Sequence, residues 1–183
     1  MTQYTSAPIE APKFSVEEIT EFGSGELIDL CEATEAAIED GGGFGWLTLP
    51  ERDVLERFWQ GVLLAPQRRL FVARLDNVIC GTAQLILPPP NNQAQSHSAN
   101  MMGLFISPWA REHGLAKSLL DLVEKNALER GYDILNCDVR VTQDAMIALL
   151  KGSGYQEFGR HPTYAYVEDK PIEGIFFYKE LST

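Results

Sequence analysis

Residues 106–118 read Ile-Ser-Pro-Trp-Ala-Arg-Glu-His-Gly-Leu-Ala-Lys-Ser, and the fold turns on this stretch. Before it, Ala99 to Ile106 is apolar and rich in strand-favouring residues. After it, Leu115, Leu119, Leu122, Val123 and Ala127 recur at helical spacing until Gly131. A strand therefore enters a tight turn and leaves as a helix. The pattern within the turn is R-x-x-G-x-A, from Arg111 through Gly114 to Ala116. A helix start offers unpaired N–H groups and the positive end of its dipole, and Gly114 and Ala116 let a bulky anion approach the backbone. Arg111 and Lys117 add positive charge, against which Glu112 works. By composition alone such a pattern arises roughly once per thousand positions, about 0.2 times in a chain this size, so its place between strand and helix gives it weight. The alternative is an ordinary strand-to-helix turn that needs glycine for packing.

Working outward, Ile134 to Val139 is a second strand after the helix, making a βαβ crossover whose helix start faces the carboxyl edge of the sheet. Thr142 is placed to cap a helix Gln143 to Lys151, which Gly152 and Gly154 release. Upstream, Arg69 to Leu75 and Val78 to Leu87 form a hairpin about Asp76 and Asn77, and Pro88 to Ser98 is a polar, proline-rich loop. Further upstream, an apolar start near Phe14 to Ile19 precedes two amphipathic helices. One is capped by Ser24 and carries Leu27, Leu30, Cys31, Thr34 and Ile38; the other opens at Pro50 and carries Val54, Leu55, Phe58, Trp59, Val62 and Leu63. Tyr164 to Glu168 and Ile175 to Leu181 close the chain as a hairpin. The expectation is a mixed α/β protein, with residues 1–12 a tail and 13–183 one domain.

With 183 residues, 45% hydrophobic and 22% charged, the chain has the composition of one globular domain. Acids exceed Lys plus Arg by 26 to 15, which sets a repulsive field against nucleic acid and anionic membrane and speaks against both as partners. No apolar run reaches the ~20 residues of a membrane helix. The first residues lack a basic and an apolar signal region, so cytoplasmic residence is expected. Cys31, Cys80 and Cys137 are odd in number and unpaired in spacing, and read as reduced, buried thiols. No metal motif and no nucleophile elbow occurs, so metal and covalent-hydrolase chemistry find no support, and no metal is expected.

The turn at Arg111, Gly114 and Ala116, with the order of elements from about Phe14 to Leu181, resembles the GNAT superfamily of acetyl-CoA-dependent N-acyltransferases, with Glu112 where many members have a further glycine. More narrowly, the chain resembles the bacterial branch containing the tabtoxin-resistance acetyltransferase, at Gly41 to Leu47, Arg57 to Leu63, Gly81 to Leu87 and the closing HPTYAYVEDKPIEGIFFYKEL. The resemblance implies a GNAT-like, centrally splayed sheet flanked by helices, with acetyl-CoA as cosubstrate between the strands Ala99 to Ile106 and Ile134 to Val139. It implies cofactor contacts at Phe105 and Ile106, at Arg111, Glu112, His113, Gly114, Leu115, Ala116 and Lys117, and at Gln143. In the pattern N-x-x-A-x-x-L-Y-x-x-x-G-F, the tyrosine that often protonates the departing thiolate is replaced by Leu150.

Asp138 shares a strand face with Ile134, Asn136 and Arg140, and is either the acceptor of a proton from an attacking amine or a structural partner of Arg140. Tyr164, on one face with Tyr166, is the best phenol donor or a packing residue. Phe44 and Trp46, between the first two helices where such proteins form their acceptor site, contact substrate or pack. His97 reads as a solvated loop residue. The expected function is N-acetylation of a small-molecule amine, a toxin, antibiotic or metabolite. A non-catalytic acyl-CoA binder and a protein N-acetyltransferase are the alternatives. An acidic protein should prefer an uncharged or cationic amine to a strongly anionic one, and homodimers are frequent among proteins of this type.

Overall fold

The computed structural model describes residues 11–42 and 45–181. Most of the expected tail, residues 1–10, and the candidate substrate contact Phe44 lie outside the described residues. The elements run β1 (Phe14–Ile19), α1 (Glu26–Glu39), α2 (Arg52–Leu64), β2 (Arg68–Leu75), β3 (Val78–Ile86), β4 (Ser98–Ile106), α3 (Leu115–Glu129), β5 (Ile134–Arg140), α4 (Asp144–Gly152), β6 (Gln156–Val167) and β7 (Lys170–Glu180). The strands make one seven-stranded sheet in the order β1-β2-β3-β4-β5-β7-β6, antiparallel except where β4 meets β5. Among the described residues no helix is long and apolar enough to cross a membrane.

Two apolar layers hold the sheet. On one face α3 packs Leu115, Leu119, Leu120, Val123 and Ala127 against Phe71, Ala83, Leu135 and Phe177. On the other, α1 and α2 pack Leu30, Cys31, Leu55 and Trp59 against Leu70, Val72 and Ile79. Thr34, fully buried, is satisfied twice: its hydroxyl donates to the Leu30 carbonyl at 2.7 Å and accepts from Trp59 Nε1 at 3.0 Å, which joins the two helices. The three cysteines are free and buried. Burial pushes their thiols up to about 11 at Cys31 and Cys80 and about 12 at Cys137, with nearby carboxylates adding to the rise at Cys31 and Cys137.

Asp76 and Asn77 make the expected tight turn, with φ of 49° and 69°. The expected helix caps differ. α1 starts two residues after Ser24 with Gly25 as its N-cap, α2 starts after Glu51 rather than at Pro50, and Gln143 rather than Thr142 is the N-cap of α4. The closing hairpin is longer than its expected strands, because Glu168 and Asp169 form a two-residue turn at φ 48° and 61° that pairs Val167 with Lys170. β6 is a sheet edge exposed along most of its length, so no hydrophobic alternation announces it, and Pro162 is accommodated where its register shifts.

Two features of β4 position the site. Its ladder to β5 ends after Asn100↔Asn136, so the two strands part toward their carboxyl ends. Against β3 it gains one residue at Gly103, which takes φ 62° while its carbonyl accepts from Thr82 Oγ1 at 3.0 Å. The strand bends there, and Leu104, Phe105 and Ile106 line the opening.

Candidate functional site

The turn after β4 is anchored before it becomes a helix. Buried Ser107 donates through its amide to the Cys80 carbonyl at 2.7 Å and through Oγ to the Ala33 carbonyl at 3.0 Å. A 3-10 turn, Pro108–Ala110, then delivers Arg111. Beyond it the backbone twice enters the left-handed region, at Glu112 (φ 68°) and Gly114 (φ 73°), before α3 begins. Among the described residues, Ser118 is the first of α3 whose amide finds a backbone partner, the Gly114 carbonyl at 3.0 Å. The amides of Leu115, Ala116 and Lys117 are thereby turned outward at the positive end of a 15-residue helix. A β carbon on Gly114 would meet nothing within 4 Å, so the space over the turn is open.

That space is a cleft of about 660 Å³. Phe105, Ile106, Arg111, Glu112, Gly114, Leu115, Ala116, Lys117 and Gln143 all line it. His113, beside them in the turn, stacks its ring on Phe14 of β1 at 5.9 Å between centroids. The basic side chains are engaged. Arg111 donates from Nη2 to Asp40 Oδ2 at 2.5 Å and from Nε to the Ile106 carbonyl at 3.3 Å, and Lys117 bonds to Asp121 one helical turn on. Both ion pairs are about half exposed, so an incoming polyanion can compete for either cation at little cost.

Gln143 links the two ends of the site. Its Oε1 accepts from the Arg140 amide at 3.0 Å, fixing the start of α4 to the end of β5. Leu104, Gln143 and Met146 line the cleft and also a smaller cavity of about 50 Å³ between the parted strands, where Asp138, Cys137 and Leu150 lie. Leu150, where the pattern has tyrosine, is fully buried and packs in the core.

Asp138 is exposed on β5, and the Tyr164 hydroxyl on β6 donates a short hydrogen bond to its Oδ2. Tyr164 reaches across β7 because Gly174 lies beneath it: a β carbon there would stand 2.3 Å from the ring. Burial, with the hydrogen bond to Asp138 and its charge behind it, pushes the Tyr164 phenol up to about 12, while Arg140 pulls the other way. The alternative role of Asp138, an ion pair with Arg140, is not made. Arg140, 9% exposed, donates from Nη2 to the carbonyls of Gly42 at 3.0 Å and Gly41 at 3.5 Å, tying the loop after α1 to β5. Trp46 lies in that loop, half-buried and edge-on to Phe58 at 5.0 Å. Its packing is thus established and a substrate contact is not. Asp40, Arg140 and Gly174 were not read from sequence as site residues; a glycine inside an aromatic strand was the one available signal of close approach.

The turn, cleft and parted strands fit acetyl-CoA. Outward amides suit its pyrophosphate, and the cleft has the size of a cofactor site. Among the described residues no group of His, Cys, Asp or Glu could hold a metal ion. A splayed mixed sheet with an amide-lined turn opening α3 defines an acetyl-CoA-dependent acetyltransferase. Residues 30–155 match the family model described as the acetyltransferase (GNAT) family. The chain is 51% identical over 129 residues to an uncharacterized N-acetyltransferase from the hisH–hisA intergenic region of Azospirillum brasilense, covering 70% of this chain and 77% of that one. The fold is shared with an N-acetyltransferase of Staphylococcus aureus Mu50, at TM-score 0.79, 17% identity and 93% and 99% coverage of the two chains. It is shared too with yncA of Salmonella typhimurium, solved with its cofactor acetyl-CoA, at TM-score 0.75, 13% identity and 92% and 94% coverage. The chain belongs to the GNAT family, and it is an N-acetyltransferase.

Proposed function

We propose that the protein acetylates the amine of a small molecule, with Asp138 as the proton acceptor and Tyr164 as the group that holds it. The observation carrying this is the Asp138–Tyr164 hydrogen bond beside the parting of β4 and β5, at a small cavity that shares Leu104, Gln143 and Met146 with the cleft over the amide-lined turn. The likeness of four stretches to the tabtoxin-resistance branch supports a small acceptor, such as a toxin, antibiotic or metabolite. We read residues 13–183 as one domain, supported by the single sheet and the family match across 30–155.

Bound acetyl-CoA supplies an activated acyl group as a thioester, and the amine takes it directly. The amides of Leu115 to Lys117, with Arg111 and Lys117, bind the pyrophosphate, and Gln143 and Phe105–Ile106 border the chain that leads from it. An alkylamine of pKa near 10.4 is only about four parts in ten thousand neutral at pH 7, a handicap of roughly 4.6 kcal/mol. Asp138, directly or through a water, relieves it by accepting the amine proton. Tyr164 occupies Oδ2 and so leaves Oδ1 for the acceptor. With its phenol pushed to about 12, Tyr164 is a weaker acid than a departing thiol near 8.5, which leaves tolerably as thiolate. Leu150 in place of an acid is consistent with that.

The test is acetylation of an amine panel, read as N-acetylated product by mass spectrometry. Product from a small primary or secondary amine supports the proposal. Acetylation confined to polypeptide amines would replace it with protein acetylation.

A further inference from the structure

Resting on the small-molecule reading, we infer that the acceptor carries a carboxylate as well as its amine, and that Arg140 is the residue that binds it. Arg140 is a nearly buried guanidinium whose only side-chain partners among the described residues are two neutral carbonyls, Gly41 and Gly42, both reached from Nη2. It belongs to no ion pair among the described residues, although the chain has 26 acidic residues. A desolvated cation without a counter-charge is costly, and a ligand anion meets that need. Nε and Nη1 bond to no described residue, and neither is sealed from solvent without a partner, so among the described residues nothing competes with a ligand for these two donors.

The position is specific to the acceptor end. Arg140 lies two residues from Asp138 on the same face of β5, about 6.6 Å along the strand, within reach of both ends of one short amino acid. On that face Arg140 pairs with Gly174, the residue over which Tyr164 folds, so the guanidinium, the phenol and the carboxylate border one surface. Asp138 is the nearest carboxylate along the strand, and neither it nor any other described acid is within ion-pair distance of Arg140. Asp138 takes the ammonium end and Arg140 the carboxylate end, so a zwitterion of zero net charge suits the site better than a polyanion.

The experiment compares matched probes: each common amino acid, its primary amide and its decarboxylated amine, assayed with acetyl-CoA by the intact protein. The best free amino acid should exceed its amide by roughly 10- to 100-fold in kcat/KM, chiefly through KM, as expected for a charge-assisted pair. The amide has the less basic amine, so its intrinsic reactivity works against this result. Arg140→Met should bring the ratio close to one, and Arg140→Lys should keep part of it. Equal use of acid and amide by the unaltered protein overturns the inference while leaving small-molecule acetylation intact, as does an unchanged ratio in Arg140→Met. If no amine in any series is acetylated while acetyl-CoA binds, the small-molecule reading fails and takes the inference with it.

Discussion

The Tyr164 hydroxyl and the Asp138 carboxylate, 26 residues apart in sequence and on strands separated by β7, are joined by one hydrogen bond over the bare backbone of Gly174. Three strands thus meet at the candidate base, and each makes its own contribution measurable.

Gly174→Ala should act on the reaction without touching either reactant. The added methyl would stand 2.3 Å from the Tyr164 ring, which must move and release Asp138. Overpacking of this kind costs about 1 to 3 kcal/mol of stability, and loss of the hydrogen bond about tenfold in rate. In a Tyr164→Ala background the same change should cost little of either, a coupling that a double-mutant cycle reads directly.

Asp138→Asn should lower the acetylation rate by ~10²-fold or more, and Tyr164→Phe by about tenfold or less. The Tyr164 phenol, raised from 10 toward about 12, remains protonated in the folded protein after an ordinary tyrosine has ionised. With the folded value above the unfolded one, its stabilising contribution is complete below pH 10 and disappears as the pH rises toward 12. Difference ultraviolet titration of Tyr164→Phe against the parent should assign this late phenol to Tyr164.

Glu112 occupies a left-handed position, φ 68°, that costs a side chain roughly 1 to 2 kcal/mol, and it places a carboxylate on the cleft. Glu112→Gly should therefore raise stability by about 0.5 to 1 kcal/mol after the added unfolded-state entropy, and should tighten acetyl-CoA binding several-fold. Denaturant unfolding and calorimetry check the two separately.

Gly114→Asp should remove acetyl-CoA binding by adding a negative side chain where the outward amides converge, at a folding cost of about 1 kcal/mol for the left-handed backbone. Gly114→Asn carries the same backbone cost without the charge. It should keep far more affinity, and equal affinity of the two variants would move the pyrophosphate elsewhere.

Much of this was legible in the sequence because its signals are local. The strand, turn and helix around Arg111 to Lys117 depend on glycine conformation and helical periodicity within one segment, and there the expected and observed elements coincide, while the stacking of His113 was not foreseen. That residue's partner, Phe14, comes from the other end of the chain and no local pattern points to it. The first part of β6 was missed because an edge strand exposed on both faces leaves no alternation to read. Asp138 and Tyr164 were each visible as candidates, but their contact depends on the register of β5, β7 and β6 and on a bulge near Pro162. Proximity along the strand offers a pairing with Arg140 as one of two roles for Asp138; the carbonyls of Gly41 and Gly42 that Arg140 holds lie almost a hundred residues away.

The most direct measurement is the rate of N-acetyl product formation at saturating acetyl-CoA, with the best amine of the panel, by the parent protein and by Asp138→Asn, alongside calorimetric acetyl-CoA affinities for both. The account predicts product from the parent, a loss of ~10²-fold or more in the variant, and affinities that agree. Equal rates at equal affinity would contradict it.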